Sequence, residues 1–115
     1  MGYIAHHAII VTVYDAKRID EAHTKALNCG LTVAGPRESP TNHYHSILIC
    51  PDGSKEGWEE SELGDAHRSD FLDWLNRQRF EDGSSPFAWI VVWYSPDDQQ
   101  AKILEHTWTN KEPAT

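Results

Sequence analysis

The hydrophobic pattern is strongest at residues 87–94, where eight apolar or aromatic side chains follow one another as Phe-Ala-Trp-Ile-Val-Val-Trp-Tyr. Such a run, rich in β-branched and ring side chains, is typical of a strand that is buried on both faces. Its side chains alternate between the two faces. One face would carry the tryptophans Trp89 and Trp93, and the other would carry Ile90, Val92 and Tyr94. Both faces of the sheet that contains this strand therefore need a cover.

The first helix is predicted over residues 16–29, where apolar side chains recur at helical spacing. Asp15 precedes it and can cap its first turn, and Gly30 follows it as a stop that tolerates a positive φ. The inner side of this helix is formed by Ile19, Ala22, His23, Ala26 and Leu27.

The second helix is predicted to end near Phe80 and to begin at Ser61 or Asp65. Gly64 weakens the earlier start by about 1 kcal/mol relative to alanine, which favours the later one. Its expected inner side is formed by Leu63, His67, Phe71, Trp74, Leu75 and Gln78.

Further strands are predicted at residues 3–14, 31–34, 42–50 and 101–109, with a Gly/Pro loop at residues 35–40. The order β-α-β-β-α-β-β predicts an α+β fold of the ferredoxin-like kind, in which both helices cover one face of an antiparallel sheet. The last strand is expected at the sheet edge beside residues 87–94. Residues 1–110 form a single domain in this interpretation, and residues 111–115 form a frayed tail.

The composition limits the classes of partner. The net charge of −8 over 115 residues argues against general binding to nucleic acid, which requires clustered Lys and Arg. The two cysteines, Cys29 and Cys50, form no motif and are expected to be reduced thiols. We see no secretory signal and no run of about 20 apolar residues that would span a membrane, so we expect a cytoplasmic protein.

His43 and His45 are the clearest candidate metal ligands, because two histidines two apart on a strand can converge on one ion. A third ligand would have to come from elsewhere, for instance His7 or His67. Ordinary surface histidines are the competing interpretation. The chain has no phosphate-binding loop and no nucleophile motif, so we predict no catalytic residue, no bound metal and no cofactor.

Aromatic side chains supply the second functional signal. The sheet face that the helices leave open can be covered by a second copy of the chain, by the loop around Trp58, or by a planar ligand. For the ligand we expect stacking on Trp58 or Trp89. The residues expected to line such a site are Trp58, Trp89, Arg37, Lys55, Arg68, His43 and His45.

Four segments resemble small accessory proteins of tailed phages. They are residues 50–61 (Cys-Pro-Asp-Gly-Ser-Lys-Glu-Gly-Trp-Glu-Glu-Ser), 64–65, 71–75 and 81–86. The resemblance covers almost the whole chain and includes no catalytic motif, so no residue's role is carried over from it. It implies a protein that acts in the host bacterial cytoplasm, where small acidic phage proteins of this size often block host defence by binding a host protein or a nucleotide signal.

Three functions remain open at this point. The first is a non-enzymatic protein, a homodimer or larger oligomer, that sequesters a small nucleotide-type signal in an aromatic pocket or at a subunit junction. The second is a blocker of a host defence protein that uses the acidic surface of residues 52–73. The third is a small metal-assisted hydrolase with His43 and His45 at its centre.

Overall fold

A computed structural model describes residues 4–55 and 57–108, which form two helices and a five-stranded sheet. In chain order the elements are β1 (His6–Val13), α1 (Ala16–Asn28), β2 (Val33–Glu38), β3 (His45–Ile49), α2 (Glu59–Arg77), β4 (Ala88–Ser95) and β5 (Gln100–His106). Tyr3 and Thr109, predicted as strand ends, and the predicted tail 111–115 lie outside the described residues.

The strands are arranged in the order β2-β3-β1-β4-β5, and every neighbouring pair is antiparallel. The predicted α+β class, with an antiparallel sheet and two helices, is confirmed. The last strand lies at the sheet edge beside β4, as the sequence predicted. No helix among the described residues is long and apolar enough to cross a membrane.

The first helix forms as its sequence predicts. The Asp15 carboxylate accepts a hydrogen bond from the Lys17 amide at 2.8 Å, which satisfies one free donor of the first turn. Gly30 follows the helix with a φ of +88°, where a side chain would be strained and would also meet the His67 ring. Gly30 therefore both ends α1 and lets α2 approach it.

One face of the sheet is covered by both helices. The odd-numbered side chains of β1, β3 and β4 share a core with one side of each helix. The core residues are Ile9, Val11, Val13, Ile19, Ala22, Ala26, Ile47, Ile49, Phe71, Leu75, Phe87, Trp89 and Val91. The face of β4 that carries Trp89 is therefore packed in the core. Among the described residues, no helix covers its other face, which carries Ile90, Val92 and Tyr94.

The predicted later start of α2 is wrong, since the helix begins at Glu59 and not at Asp65. Trp58 is the N-cap but makes no side-chain capping bond. Three glutamates in the first turn, Glu59, Glu60 and Glu62, instead stabilise the positive end of the helix dipole. The expected inner side was also partly wrong, because Leu63 is exposed while Gly64 and Arg68 are buried.

The predicted loop at residues 35–40 is wrong for residues 35–38, because β2 continues to Glu38. The strand accommodates Pro36 through a register shift between Ala34 and Arg37, and it lies at the sheet edge, where proline is tolerated. The strand predicted at residues 42–50 begins only at His45. Asn42 and His43 have positive φ angles and form the turn between β2 and β3.

Candidate functional site

Four exposed aromatic rings meet at one end of the sheet. In this antiparallel arrangement β1 and β5 end where β3 and β4 begin, and α2 also ends there. Each ring comes from a residue just beyond one of these element ends. The four residues are Tyr14, Tyr44, Phe80 and Trp108, and their exposed fractions lie between 45% for Tyr44 and 64% for Tyr14.

The rings line a cavity of about 470 Å³, which we call the aromatic cavity. Ligand pockets in proteins have volumes of about 300–1,000 Å³, so this volume suits a small molecule. The ring centroids of Tyr14 and Tyr44 lie 5.6 Å apart in an edge-to-face contact. The Arg18 guanidinium carbon lies 5.0 Å from the centroid of the Phe80 ring, which places a positive charge on the cavity wall.

A second cavity of about 580 Å³ adjoins the first, and both are lined by Ser85, Thr107 and Trp108. The second cavity also contains Arg79. Trp108 is therefore flanked by two cavities, with Arg18 on one side and Arg79 on the other. A planar group stacked on a ring here would have a guanidinium available for an anionic substituent.

Hydrogen bonds fix the segments that present these rings. The Thr107 hydroxyl accepts from the Trp89 amide at 2.6 Å, and the Thr107 amide donates to the Trp89 carbonyl at 3.0 Å. The Phe80 amide donates to the Ser84 carbonyl at 2.8 Å, which closes the loop before β4. The chain around Phe80 and Trp108 is thus anchored to the start of β4.

Two carboxylates also line these cavities, and each is hydrogen-bonded within its own turn. Asp15 caps α1, and Asp82 accepts from the Ser84 hydroxyl at 2.6 Å and from the Ser84 amide at 2.9 Å. These Ser84 hydrogen bonds lower the pKa of Asp82 below its usual value. Asp82 therefore stays ionised and structural, while Arg18 and Arg79 supply the positive charge.

The predicted stacking residues lie elsewhere. Trp89 is only 4% exposed and packs in the core, so its ring offers no surface to a ligand. Trp58 is 48% exposed, and the Lys55 ammonium lies 5.2 Å from its ring centroid. The structure thus brings Trp58 and Lys55 together, but just before the first turn of α2 and away from the four-ring cluster.

Arg68 is occupied by carboxylates. Its side chain is 8% exposed and forms ion pairs with Asp52, at 3.4 Å, and with Asp65. Partial burial would raise the pKa of Asp52, but hydrogen bonds from Ser54 and the Arg68 charge outweigh it and hold that pKa below its usual value. Arg68 thus ties the loop before α2 to the helix.

His43 and His45 are brought together by Glu38. One carboxylate oxygen of Glu38 lies 3.5 Å from His43 Nδ1 and 3.5 Å from His45 Nε2. His45 Nδ1 also lies 3.2 Å from the Tyr14 carbonyl oxygen, which links this cluster to the aromatic cavity. Among residues 4–55 and 57–108, no group of three or more His, Cys, Asp or Glu is arranged to hold a metal ion. Arg37 is exposed on β2, at the edge of the sheet.

A charged cleft separates α2 from β5. It has a volume of about 290 Å³, and its lining includes His7, Asp65, Asp73 and Glu105. Partial burial raises the pKa of Glu105, and the nearby Asp73 charge raises it further. The cleft holds carboxylates that repel one another, which distinguishes it chemically from the aromatic cavity.

Sequence reasoning missed all four rings of the aromatic cavity. They come from four segments, and no spacing along the chain joins Tyr14 to Trp108. A usable signal exists once the strand order is known, because each ring lies just outside an element that ends or begins at the same sheet end. No protein-family model matches this chain, and no curated protein matches it, so the site is interpreted from its own chemistry.

Proposed function

We propose that this chain is a non-enzymatic binding protein that holds a planar, anionic ligand of the nucleotide type in the aromatic cavity. The observation that carries the proposal is the convergence of four exposed rings from four segments, with Arg18 and Arg79 beside them. Exposed apolar surface on a protein of this size favours a binding role, since it lowers solubility without adding to the core.

The chemistry of the lining favours a nucleobase attached to a phosphate. Stacking of a base on an aromatic side chain contributes about 1–3 kcal/mol. A guanidinium can donate two parallel hydrogen bonds to a phosphate. Arg18 and Arg79 therefore suit an anionic group, while Tyr14, Tyr44, Phe80 and Trp108 suit the flat ring.

Sequestration of a nucleotide-type signal is the biological form that we propose for this binding. The resemblance to small tailed-phage accessory proteins supports this form. Sequestration would then act as counter-defence in the host bacterial cytoplasm. Blocking a host protein through the acidic surface remains the alternative. That surface includes the first-turn glutamates of α2 and the exposed Asp70 and Asp73.

We also propose a ferredoxin-like assignment for the domain, with β5 as an added strand. Three observations support it: β1 lies between β3 and β4, β2 lies outside β3, and both helices contribute to the core on one face. In this arrangement the aromatic cavity lies at the end of the sheet where β1 passes into α1.

Calorimetric titration with AMP, ADP-ribose and cyclic dinucleotides tests the proposed binding. We expect at least one of these probes to bind. Trp108→Ala should weaken that binding about 5- to 150-fold, the equivalent of one lost base stack. Arg18→Gln should weaken the binding of phosphorylated probes more than that of the free nucleoside.

Trp58→Ala is the matched control, because it removes an exposed tryptophan at the start of α2, away from the cavity. It should leave the affinity unchanged. Binding that is lost with Trp58→Ala and retained with Trp108→Ala would place the ligand at the start of α2 and contradict the proposal. Absence of binding by all the probes would favour a protein target.

A further inference from the structure

The middle of the sheet face opposite the helices is apolar and carries no helix of the described chain. Cross-strand pairing places Ala34, Leu48, Ile10 and Ile90 in one continuous row across β2, β3, β1 and β4. A second row contains Ala8, Val92 and Ile103, and it reaches β5. We call these two rows the open face.

Several open-face side chains are solvent-exposed although they are large and apolar. Ile103 is 59% exposed and Ile10 is 44% exposed, and Leu48 is also exposed. The Trp58 loop, one of the predicted covers, does not shield them. Isolated apolar side chains on a surface are ordinary, but contiguous rows across a whole sheet mark an interaction surface.

We propose that a second copy of this chain covers the open face, so that two sheets pack face to face in a twofold dimer. A twofold axis brings the same patch of each copy together, so one self-complementary apolar surface is sufficient. The inference is independent of the proposed ligand, because it concerns the protein without any probe.

The charge distribution allows a second copy to cover the open face. Each chain carries a net charge of −8, so two copies repel one another through most of their surfaces. The two rows of the open face contain no charged side chain, and Arg37 lies on the same side of the sheet in the adjoining row, where it pairs with Ser46 at the sheet edge. Two acidic chains can therefore approach closely there without bringing like charges together.

The size of the face is sufficient for a specific dimer. Five strands about 4.8 Å apart, each about seven residues long at about 3.3 Å per residue, give the whole sheet side that contains the open face a footprint of roughly 550 Å² per copy. Full overlap of the two sheets around the open face would bury roughly 1,100 Å², just above the roughly 1,000 Å² expected of a biological interface. If the two twisted sheets pack face to face at a separation of about 10 Å, the exposed isoleucines of the two copies interdigitate.

The dimer would also adjoin the ligand site. Thr12 and Ala88 line the aromatic cavity, and their side chains alternate onto the same sheet side as Ile10 and Ile90. A second copy on the open face would therefore lie next to the cavity and limit its access to water.

Sedimentation equilibrium of the full chain without ligand tests the proposal. The expected mass is twice 13.1 kDa, with a dissociation constant of about micromolar or tighter. Ile103→Lys and Ile10→Lys should each raise that constant at least about 100-fold, because the twofold axis introduces each new charge twice. Far-UV circular dichroism checks that each variant is folded, and the more exposed Ile103→Lys decides the result if Ile10→Lys is unfolded.

Leu63→Lys is the matched control, since Leu63 is 55% exposed but lies on α2, on the other side of the molecule. It should leave the dimer intact. A mass of 13.1 kDa at a protein concentration of about 100 µM, far above a micromolar dissociation constant, would overturn the proposal. A dimer that survives Ile103→Lys but dissociates with Leu63→Lys would also overturn it, by placing the interface on the helices.

Discussion

Gly64→Ala tests the packing of α2 against the preceding loop, because two physical effects predict opposite signs. In a helix interior, alanine is favoured over glycine by about 1 kcal/mol. At this position, however, an added Cβ would overlap Asp52 Oδ2 and would lie 3.2 Å from Arg68 Nη1. The carboxylate would have to move away from the helix.

The expected cost follows from what Asp52 holds. Asp52 accepts a hydrogen bond from Arg68 at 3.4 Å and two more from Ser54. A buried donor that loses its only partner costs about 1–3 kcal/mol, and more if it is charged. The Arg68 side chain is 8% exposed but keeps Asp65 as a second partner, so the lower part of that range applies. Combined with the helix gain, Gly64→Ala should lower the free energy of unfolding by up to about 1 kcal/mol.

A double-mutant cycle isolates the cause. Urea denaturation followed by far-UV circular dichroism would give the free energy of unfolding of each variant. In an Asp52→Ala background the overlap is gone, and Gly64→Ala should then stabilise the protein by about 1 kcal/mol. If Gly64→Ala stabilises the protein equally in both backgrounds, the assigned packing of Asp52 against α2 is refuted.

Two further substitutions test charge and hydrogen bonding near β5. The raised pKa of Glu105 means that its charged form weakens the fold above that pKa and that the penalty disappears as the pH falls through it. Glu105→Gln should therefore raise the free energy of unfolding at pH 7 by no more than about 0.5 kcal/mol, since solvent screens this partly exposed group. The difference in the free energy of unfolding between the two proteins should shrink as the pH falls toward 4.5, the ordinary pKa of the glutamate side chain. A difference that grows as the pH falls would contradict the assignment. Thr107→Val leaves the Trp89 amide without its hydroxyl acceptor and should cost about 1–3 kcal/mol in urea denaturation. Thr107→Ser keeps the acceptor and should cost less, so equal losses for both variants would contradict this role.

Local patterns predicted most of the fold. The cap at Asp15, the stop at Gly30 and the apolar run of β4 depend on neighbouring residues alone, and each lies where the sequence placed it. The start of α2 was predicted wrongly because the low helix propensity of Gly64 favoured a start after it. In the structure Gly64 is required by the close approach of Asp52, a residue twelve positions earlier in the chain.

The candidate site was much less predictable than the fold. The sequence leaves open which face of the strand at residues 87–94 the helices cover, and in the structure they cover the face of Trp89 and bury its ring. Tyr14 and Trp108 line the same cavity only because β1 and β5 terminate at the same end of the sheet. Such a meeting depends on strand order and direction, which residue spacing does not encode.

The chain's five tryptophans allow the central claim to be tested in one measurement. In a ¹⁵N-labelled sample each indole N–H gives a separate NMR signal, and Trp108→Phe and Trp58→Phe assign the two that matter. On titration with a probe that binds, the Trp108 signal should shift, while the signal of the distant Trp58 stays nearly unchanged. A shift of the Trp58 signal with an unmoved Trp108 signal would contradict the aromatic cavity as the binding site.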